Sequence, residues 1–453
     1  MGPLWLPLLA STSGALASDT NWGAQISATA RAGIHGCTGG PQSCQWIHFN
    51  DTAVVSPWVS AKPNDQVSAK AEVDLRFHGP GSGYGLGSTT KQTPWSLRFR
   101  DAWVSARSDH TELRMGVQRI AWGVAQGVSV VDTVNPLNLE DPTQLDQRLS
   151  TLSGVFTAHT ETLSITGVFV PFFVPAALPS VDVDLMSSAK DIFDERFTGG
   201  QEMELGQLES RPDIPINTIE NASMAAQVRW TPSVGDFTLS WHSGRDSLPQ
   251  VAGELRLLGY QTKQNRVDVG VPLAYPRVHT YGFTARSQLP ADITAWAEMA
   301  VSIGQRTTVK PSKRQLEDLE RLGAIESAPD PIPQTETQDG RPVFKWIAGA
   351  DRPFGPVRVV AQWLHGFVTE RSQDDVNDYG LVGLRWNVTP IIRLDTNVAT
   401  DLDGHLVNFG VTFLHADTAE ITVATTHING PNSSSLGGLK AASNIRTGIS
   451  MRF

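Results

Sequence analysis

The chain has 453 residues, 18% of them charged, with 40 Gly, 28 Pro, 13 Trp and only two Cys, which excludes a disulfide-stapled miniature fold, a coiled coil and a disordered chain. With 36 Lys and Arg against 46 Asp and Glu the net charge is −10, and a nonspecific nucleic-acid binder, which needs a basic footprint, is disfavoured. A mean hydropathy of −0.18 and the scarcity of long apolar runs disfavour a helical membrane protein.

Residues 1–17 are apolar and uncharged and close on Ala15-Leu16-Ala17, the small-x-small pattern of a signal-peptidase site, so they are expected to be a cleaved secretory signal. No Lys or Arg precedes Arg31, which leaves a start upstream of Met1 open. The rest, 18–453, reads as one domain. Its recurring signal is a segment of about ten residues that alternates in polarity, the period of a strand with one apolar face. The clearest is VSAKAEVDLRFH at 67–78. In chain order the predicted strands lie near 23–35, 52–61, 65–78, 95–107, 111–122, 150–159, 161–171, 221–231, 235–244, 276–288, 291–303, 341–351, 355–368, 377–388, 390–400, 404–415, 418–428 and 442–453.

Connection lengths decide the class. Tight polar turns such as 62–65, 108–110, 159–161, 232–235, 289–292 and 352–355 alternate with long connections at 79–94, 120–149, 173–220, 245–275 and 304–340. Short turns on one side and long loops on the other are what a transmembrane β-barrel shows, with periplasmic turns and extracellular loops; in a compact soluble domain such loops count against the assignment. The charge-free stretch 163–181 is no spanning helix, because Pro171, Pro175 and Pro179 interrupt it. The expected fold is an all-β, transmembrane, antiparallel up-and-down barrel of about 18 strands, with 16 as the alternative, and an even count puts both termini on the periplasmic side. Cys37 and Cys44 then fall in the first extracellular loop, where two cysteines seven apart in an exported chain are expected to form a local disulfide.

These residues carry a resemblance. The chain resembles a Gram-negative outer-membrane β-barrel, and its last residues, Ile449-Ser450-Met451-Arg452-Phe453, are similar to the terminal-aromatic signal read by the barrel-assembly machinery in that class. GVQRIAWG at 116–123, DTVNP at 132–136 and YPRVHTYG at 275–282 resemble a poorly characterised proteobacterial family of porin-like barrels, with a more distant similarity to alginate-export barrels. The resemblance implies outer-membrane lipid and lipopolysaccharide as surroundings, the assembly machinery as a partner through the Phe453 strand, and a small-molecule solute as cargo.

In such a barrel alternation assigns every strand residue to lipid or lumen. The apolar rows, including Val73, Leu75, Phe77, Phe237, Leu239, Val382, Leu384, Trp386, Val407, Phe409, Val411 and Phe413, are expected to face lipid, and aromatics at strand ends to form interfacial girdles. The opposite rows carry Lys70, Arg76, Arg98, Arg100, Arg114, Arg229, Arg286, Arg358, Arg385, Arg393 and Arg446, together with Arg31, Lys345 and Arg452, against Glu72, Asp74, Glu112, Glu298, Asp351 and Asp395. Fourteen bases against six acids make a basic wall, which favours anions. Structural pairing of those arginines with neighbouring acids is the competing reading, and a bulge would upset any face assignment. The net acidity is expected in loops, 182–220 alone holding ten acids and three bases.

The apolar run with Phe169, Phe172, Phe173 and Leu178 is too hydrophobic for an exposed loop and is expected to fold into the barrel mouth as a constriction or a hydrophobic entrance, or to pack on other loops. Weak helical spacing at 186–197 and 311–322 suggests solvated caps. Enzyme signatures are weak: the glycine-rich 79–87 lacks phosphate-loop spacing, no nucleophile elbow or zinc motif occurs, and a tight turn explains Asp401-x-Asp403-Gly404 without calcium. Neither a cofactor nor a metal is expected. The expected function is a passive or facilitated channel preferring small anionic solutes. One alternative is a transporter of a hydrophobic or amphipathic compound through the 168–180 loop; another is a secreted soluble β-protein, a lectin or hydrolase.

Overall fold

The computed structural model describes residues 19–33, 52–78, 95–140, 147–178, 204–261, 266–321, 334–415, 418–431 and 443–453, with isolated positions between them. The signal segment, Cys37 and Cys44, the 79–87 glycines and the 186–197 spacing lie outside the described residues. Strands are numbered in chain order. The first seven are β1 (Asp19–Gly33), β2 (Thr52–Lys62), β3 (Val67–His78), β4 (Trp95–Arg107), β5 (Thr111–Gln118), β6 (Thr151–His159) and β7 (Leu163–Val170). After β8 (Glu204–Pro212) come β9 (Ser223–Trp230) and β10 (Asp236–Arg245), then β11 (Gln250–Val251), β12 (Gly253–Gln261) and β13 (Arg266–Ala274). β14 (Arg277–Leu289), β15 (Ile293–Gly304), β16 (Thr307–Pro311), helix α1 (Lys313–Arg321), β17 (Thr335–Gln338), β18 (Pro342–Phe354) and β19 (Val357–His365) follow. The chain closes with β20 (Asp378–Thr389), β21 (Ile392–Thr400), β22 (His405–His415), β23 (Ala419–Asn429) and β24 (Asn444–Arg452).

Eighteen of these strands make one antiparallel sheet, and pairing of β1 with β24, from Gln25 opposite Arg452 to Gly33 opposite Asn444, closes it into a barrel. Closure removes every edge, so each backbone N–H and C=O can be satisfied without water. Each of the eighteen predicted strands has its counterpart, displaced by a few residues at most. The outward rows are apolar and exposed at Leu75, Phe77, Leu239, Val382, Leu384, Trp386, Phe409 and Phe413, with Trp22, Trp95, Trp230 and Trp363 exposed as well. Such a belt has no place on a soluble lectin or hydrolase and fits a hydrocarbon solvent.

The long connections carry strands of their own. β8, β11, β12, β13, β16 and β17 form a second, six-stranded sheet beyond the long-loop end of the barrel, with β8 parallel to β13 and β12 parallel to β16. These strands come from three separate connections: β12 and β13 pair as a local antiparallel hairpin, while the β8–β13 and β12–β16 pairings cross between connections. Helix α1 stands where the 311–322 spacing placed one.

Because the barrel stands on its two faces, Leu239→Arg, on the outward row near mid-strand, is expected to cost about 2–4 kcal/mol of unfolding free energy. Thr238→Arg, on the inward row, should cost less; urea unfolding of the refolded barrel in lipid vesicles, followed by Trp fluorescence, reads the difference.

Candidate functional site: a lumen divided by an inward loop

The connection between β5 and β6, residues 119–150, does not stay outside. It crosses the barrel interior, and Val128, Val130 and Val131 pack on Ala300 of β15, Ile347 of β18, Leu364 of β19 and Tyr379 of β20. Its stem, Ile120, Trp122 and Val134, packs on Val168, Val170 and Ala225 of the near wall. One carboxylate holds the crossing. Glu298 of β15, fully buried, accepts hydrogen bonds from Val124 N (2.5 Å), Ala125 N (2.7 Å), Ser129 Oγ (2.8 Å) and Val130 N (3.1 Å). A buried carboxylate is tolerable only when so many donors replace its water. Gln362 of β19 adds a second tie, accepting from Gln126 N at 3.1 Å and donating to Gln126 O at 2.7 Å. Gly123 has φ +109°, and a Cβ there would stand 2.4 Å from Ser129 Oγ and 2.7 Å from Glu298 Oε1, so the turn admits only glycine. Asn135 closes the stem, accepting from Ile120 N at 2.7 Å and donating to Leu149 O at 2.8 Å. The two motifs at 116–123 and 132–136 are thus the two arms of the inward loop.

The chord divides the lumen unequally. Behind it, against β10, β14, β15 and β18, a cavity of about 100 Å³ remains. On the other side, against β24 and β1–β4, lies a cavity of about 1050 Å³. Its basic lining is Arg31, Lys70, Arg76, Arg98, Arg100, Arg119, Arg148 and Arg452, and its acidic lining Glu72, Asp74, Asp101 and Glu140. Of the fourteen inward cations expected, Arg31, Lys70, Arg76, Arg98, Arg100 and Arg452 meet here, while Arg114, Arg229, Arg286, Lys345, Arg358, Arg385, Arg393 and Arg446 stand elsewhere.

Structural pairing is extensive. Lys70 reaches Glu72 at 2.8 Å and Asp101 at 2.6 Å, and Arg100 reaches Glu72 at 2.9 Å and Asp74 at 3.1 Å. Arg114 bonds Glu112 at 2.7 Å and lies over the Trp103 ring. Arg229 pairs with Asp236, Arg358 with Asp351, and Arg385 and Arg393 share Asp395. Arg286 stands opposite Asp236 in register, but its side chain has no hydrogen bond or ion pair among the described residues. Arg446 faces Arg31 across the closing seam. Lys345 does not present its charge to an open lumen: it is buried and donates to Phe367 O and Glu370 O, both at 2.5 Å, under the β19–β20 loop.

Four charged groups of the cavity escaped the alternation reading. A bulge between Glu72 and Val73 pairs Glu72 with Asp101 and Val73 with Phe99, which turns both Arg100 and Asp101 inward. Arg119, Glu140 and Arg148 sit on the inward loop, whose path has no period to read. Glu140 accepts from Arg76 at 2.7 Å and Arg98 at 2.7 Å; burial alone would push its carboxyl up, but the two guanidiniums hold it down at about 2. Burial pushes the Asp132 carboxyl up to about 6 against the pull of Arg148 at 3.5 Å.

The apolar run departs from expectation. Phe169 belongs to β7 on the outward row with Leu163 and Ile165 and is exposed, so alternation sends it to lipid and not to a constriction. Phe172 is exposed, Phe173 is buried against Tyr275 with ring centroids 4.9 Å apart, and Leu178 packs with Leu137, Leu139 and Leu248 while touching the large cavity. The element that fills the lumen is therefore 119–150, braced by 171–178 through Ala177 N to Leu137 O at 3.0 Å; residues 179–203 lie outside the described ones. Asp401 caps its own turn, accepting from Gly404 N at 2.6 Å and Leu436 N at 3.0 Å.

No family model and no curated protein matches the chain. Among solved structures it is similar to OccK9 (OpdG) of Pseudomonas aeruginosa, with a TM-score of 0.51, 8% identity and coverage of 96% of this chain and 98% of that one. OccAB1 of Acinetobacter baumannii gives 0.50 at 11% identity, covering 96% of both chains. OccK8 (OprE) of P. aeruginosa gives 0.50 at 8% identity, covering 96% and 98%. At such identities the likeness is one of fold: this chain shares the closed 18-stranded barrel of outer-membrane porins.

Two outcomes test the loop. Glu298→Gln should lower the opening free energy of the amides of Val124, Ala125 and Val130 by on the order of 1.5–3 kcal/mol, read by hydrogen exchange. Asp132 has a folded pKa above its unfolded one, so its stabilising contribution is complete below about pH 4 and lost as pH rises through about 6; loop amide protection should fall across that window in the wild type and stay flat in Asp132→Asn.

Proposed function

We propose that the chain is an outer-membrane channel through which small anionic solutes diffuse along the β24–β4 side of the lumen. The observation that carries this reading is the composition of the larger cavity, eight basic side chains against four acidic ones. Pairing lowers but does not cancel that excess: the Arg452 side chain has no hydrogen bond or ion pair among the described residues, and that of Arg119 feels Asp132 only at longer range. In a narrow, low-dielectric passage an uncompensated cation raises local anion concentration far more than it would on an open surface. The fold shared with the Occ barrels supports a porin-type passage. Both termini are assigned to the periplasm, since the tight turns occupy their end of the barrel.

A hydrophobic or amphipathic cargo is less well supported. The apolar 168–178 run that would greet it is largely spent on packing, Phe173 on Tyr275 and Leu178 on the loop core, and the large cavity is lined mainly by charged and polar side chains.

In planar bilayers under a KCl gradient, Arg119→Gln with Arg452→Gln should move the chloride-to-potassium permeability ratio from anion-preferring towards unity. Arg358→Gln with Arg385→Gln should move it much less, since those two are paired and stand outside the cavity. Equal effects of the two sets, or a wild type without anion preference, would contradict the proposal.

A further inference from the structure

The wall cations of the large cavity differ in who neutralises them. Glu72, Asp74 and Asp101, all carried by the wall, serve Lys70 and Arg100. None of them reaches Arg76 or Arg98 among the described residues. Those two guanidiniums project from neighbouring strands, Arg98 standing opposite Asp74 and Arg76 opposite Ser96, and they converge on one carboxylate that the wall does not supply. Glu140 comes from the inward loop. Its Oε2 accepts from Arg76 Nη1 at 2.7 Å and its Oε1 from Arg98 Nη2 at 2.7 Å, with a longer contact of 3.5 Å from Arg98 Nη1 to Oε2. Each oxygen of a planar anion thus meets its own donor, the arrangement by which paired guanidiniums recognise a free oxyanion.

We propose that Arg76 and Arg98 form an oxyanion-binding subsite of the passage and that Glu140 is a tethered competitor occupying it, so that a permeant anion binds there by displacing the loop carboxylate. This rests on the anion-channel reading and names the place where that channel holds its cargo. Three features fit displacement better than a fixed structural pair. Glu140 is partly exposed, its side chain retaining 29% of its accessible surface, and so are Arg76 and Arg98 at 17% and 35%. The group sits in the wall of the larger cavity and not in the packed core. The backbone around it is held independently of the ion pair, by Leu139 N to Ala177 O at 2.8 Å and Glu140 N to Asn138 Oδ1 at 3.3 Å, so the side chain can swing away without unfolding the loop. A tethered anion sets a threshold: weakly binding ions pass without lodging, and an oxyanion that can match two forks competes for the site.

The test is conductance of the purified barrel in planar bilayers against salt concentration, in KCl and in potassium acetate, for the wild type, Glu140→Gln, Glu140→Asp and Asp101→Asn. Removing the competitor should lower the acetate concentration at half-saturation by about tenfold, the equivalent of one charge-assisted hydrogen bond, with a smaller shift in chloride. Glu140→Asp should stay near the wild type. Asp101→Asn removes the same charge from the same cavity without vacating the subsite, so it should raise anion preference while shifting acetate half-saturation less than Glu140→Gln does. Heat-modifiable migration confirms that each variant is folded. Equal acetate half-saturation in folded Glu140→Gln and wild type, or an equal shift in Asp101→Asn, would overturn the subsite while leaving an anion-selective channel intact. A wild type without anion preference would sink the channel reading itself.

Discussion

A polypeptide surrounded by hydrocarbon has nowhere to send its backbone N–H and C=O groups except to itself, and that requirement governs this molecule. Eighteen strands meet it by closing on one another, and the seam is the decisive contact: β1 pairs with β24, and beyond the last ladder bonds Phe453 N donates to Ala24 O at 2.9 Å while Ala24 N donates to Phe453 O at 3.3 Å. Once the ring is shut, side-chain alternation gives it an apolar outside and a polar inside with no further instruction. Most of the charges on the lumen wall follow from that alternation, and the inward loop adds Arg119, Glu140 and Arg148.

A ring of this size would leave a wide hole, and the inward loop narrows it. The loop's path depends on a buried carboxylate on the far wall, Glu298, meeting four donors that the loop presents within a few residues of one another. Neither side is stable alone, since the carboxylate would be unsolvated and the loop amides unpaired. Together they fix a chord that leaves a small pocket on one side and the basic cavity on the other. The same loop carries Glu140 to the Arg76 and Arg98 forks. The narrowing of the lumen and the carboxylate set between the two guanidiniums thus belong to one segment, held mainly by Glu298 with Gln362 as a second tie.

How much of this was legible in the sequence depends on whether a feature repeats. VSAKAEVDLRFH displays both faces of a strand in twelve residues, and the alternation of short and long connections then supplies topology and strand number. Glu298 was readable as a lumen-facing acid but not as an anchor, because its four donors lie about 170 residues away in the chain. Phe169 was misplaced by hydrophobicity: it sits in an apolar run, yet the period of β7 continues through it and sends it to lipid. Asp101 was hidden by the bulge opposite Glu72 and Val73, which breaks the period by one residue. The six-stranded outer sheet was missed because it lies within connections that were read only by their length, and the two parallel pairings that join it cross between different connections.

Passage of solute between the inward loop and the β24–β4 wall is tested most directly by thiol modification. Single cysteines at Thr29 and Ser27, which line the large cavity, and at Thr280 and Ser302, which line the small pocket behind the loop, would be exposed in turn to an anionic methanethiosulfonate reagent while current is recorded, with the unsubstituted barrel as control. The chord geometry predicts rapid block at Thr29→Cys and Ser27→Cys and little or none at the other two. Block confined to Thr280→Cys and Ser302→Cys, or equal at all four, would contradict it.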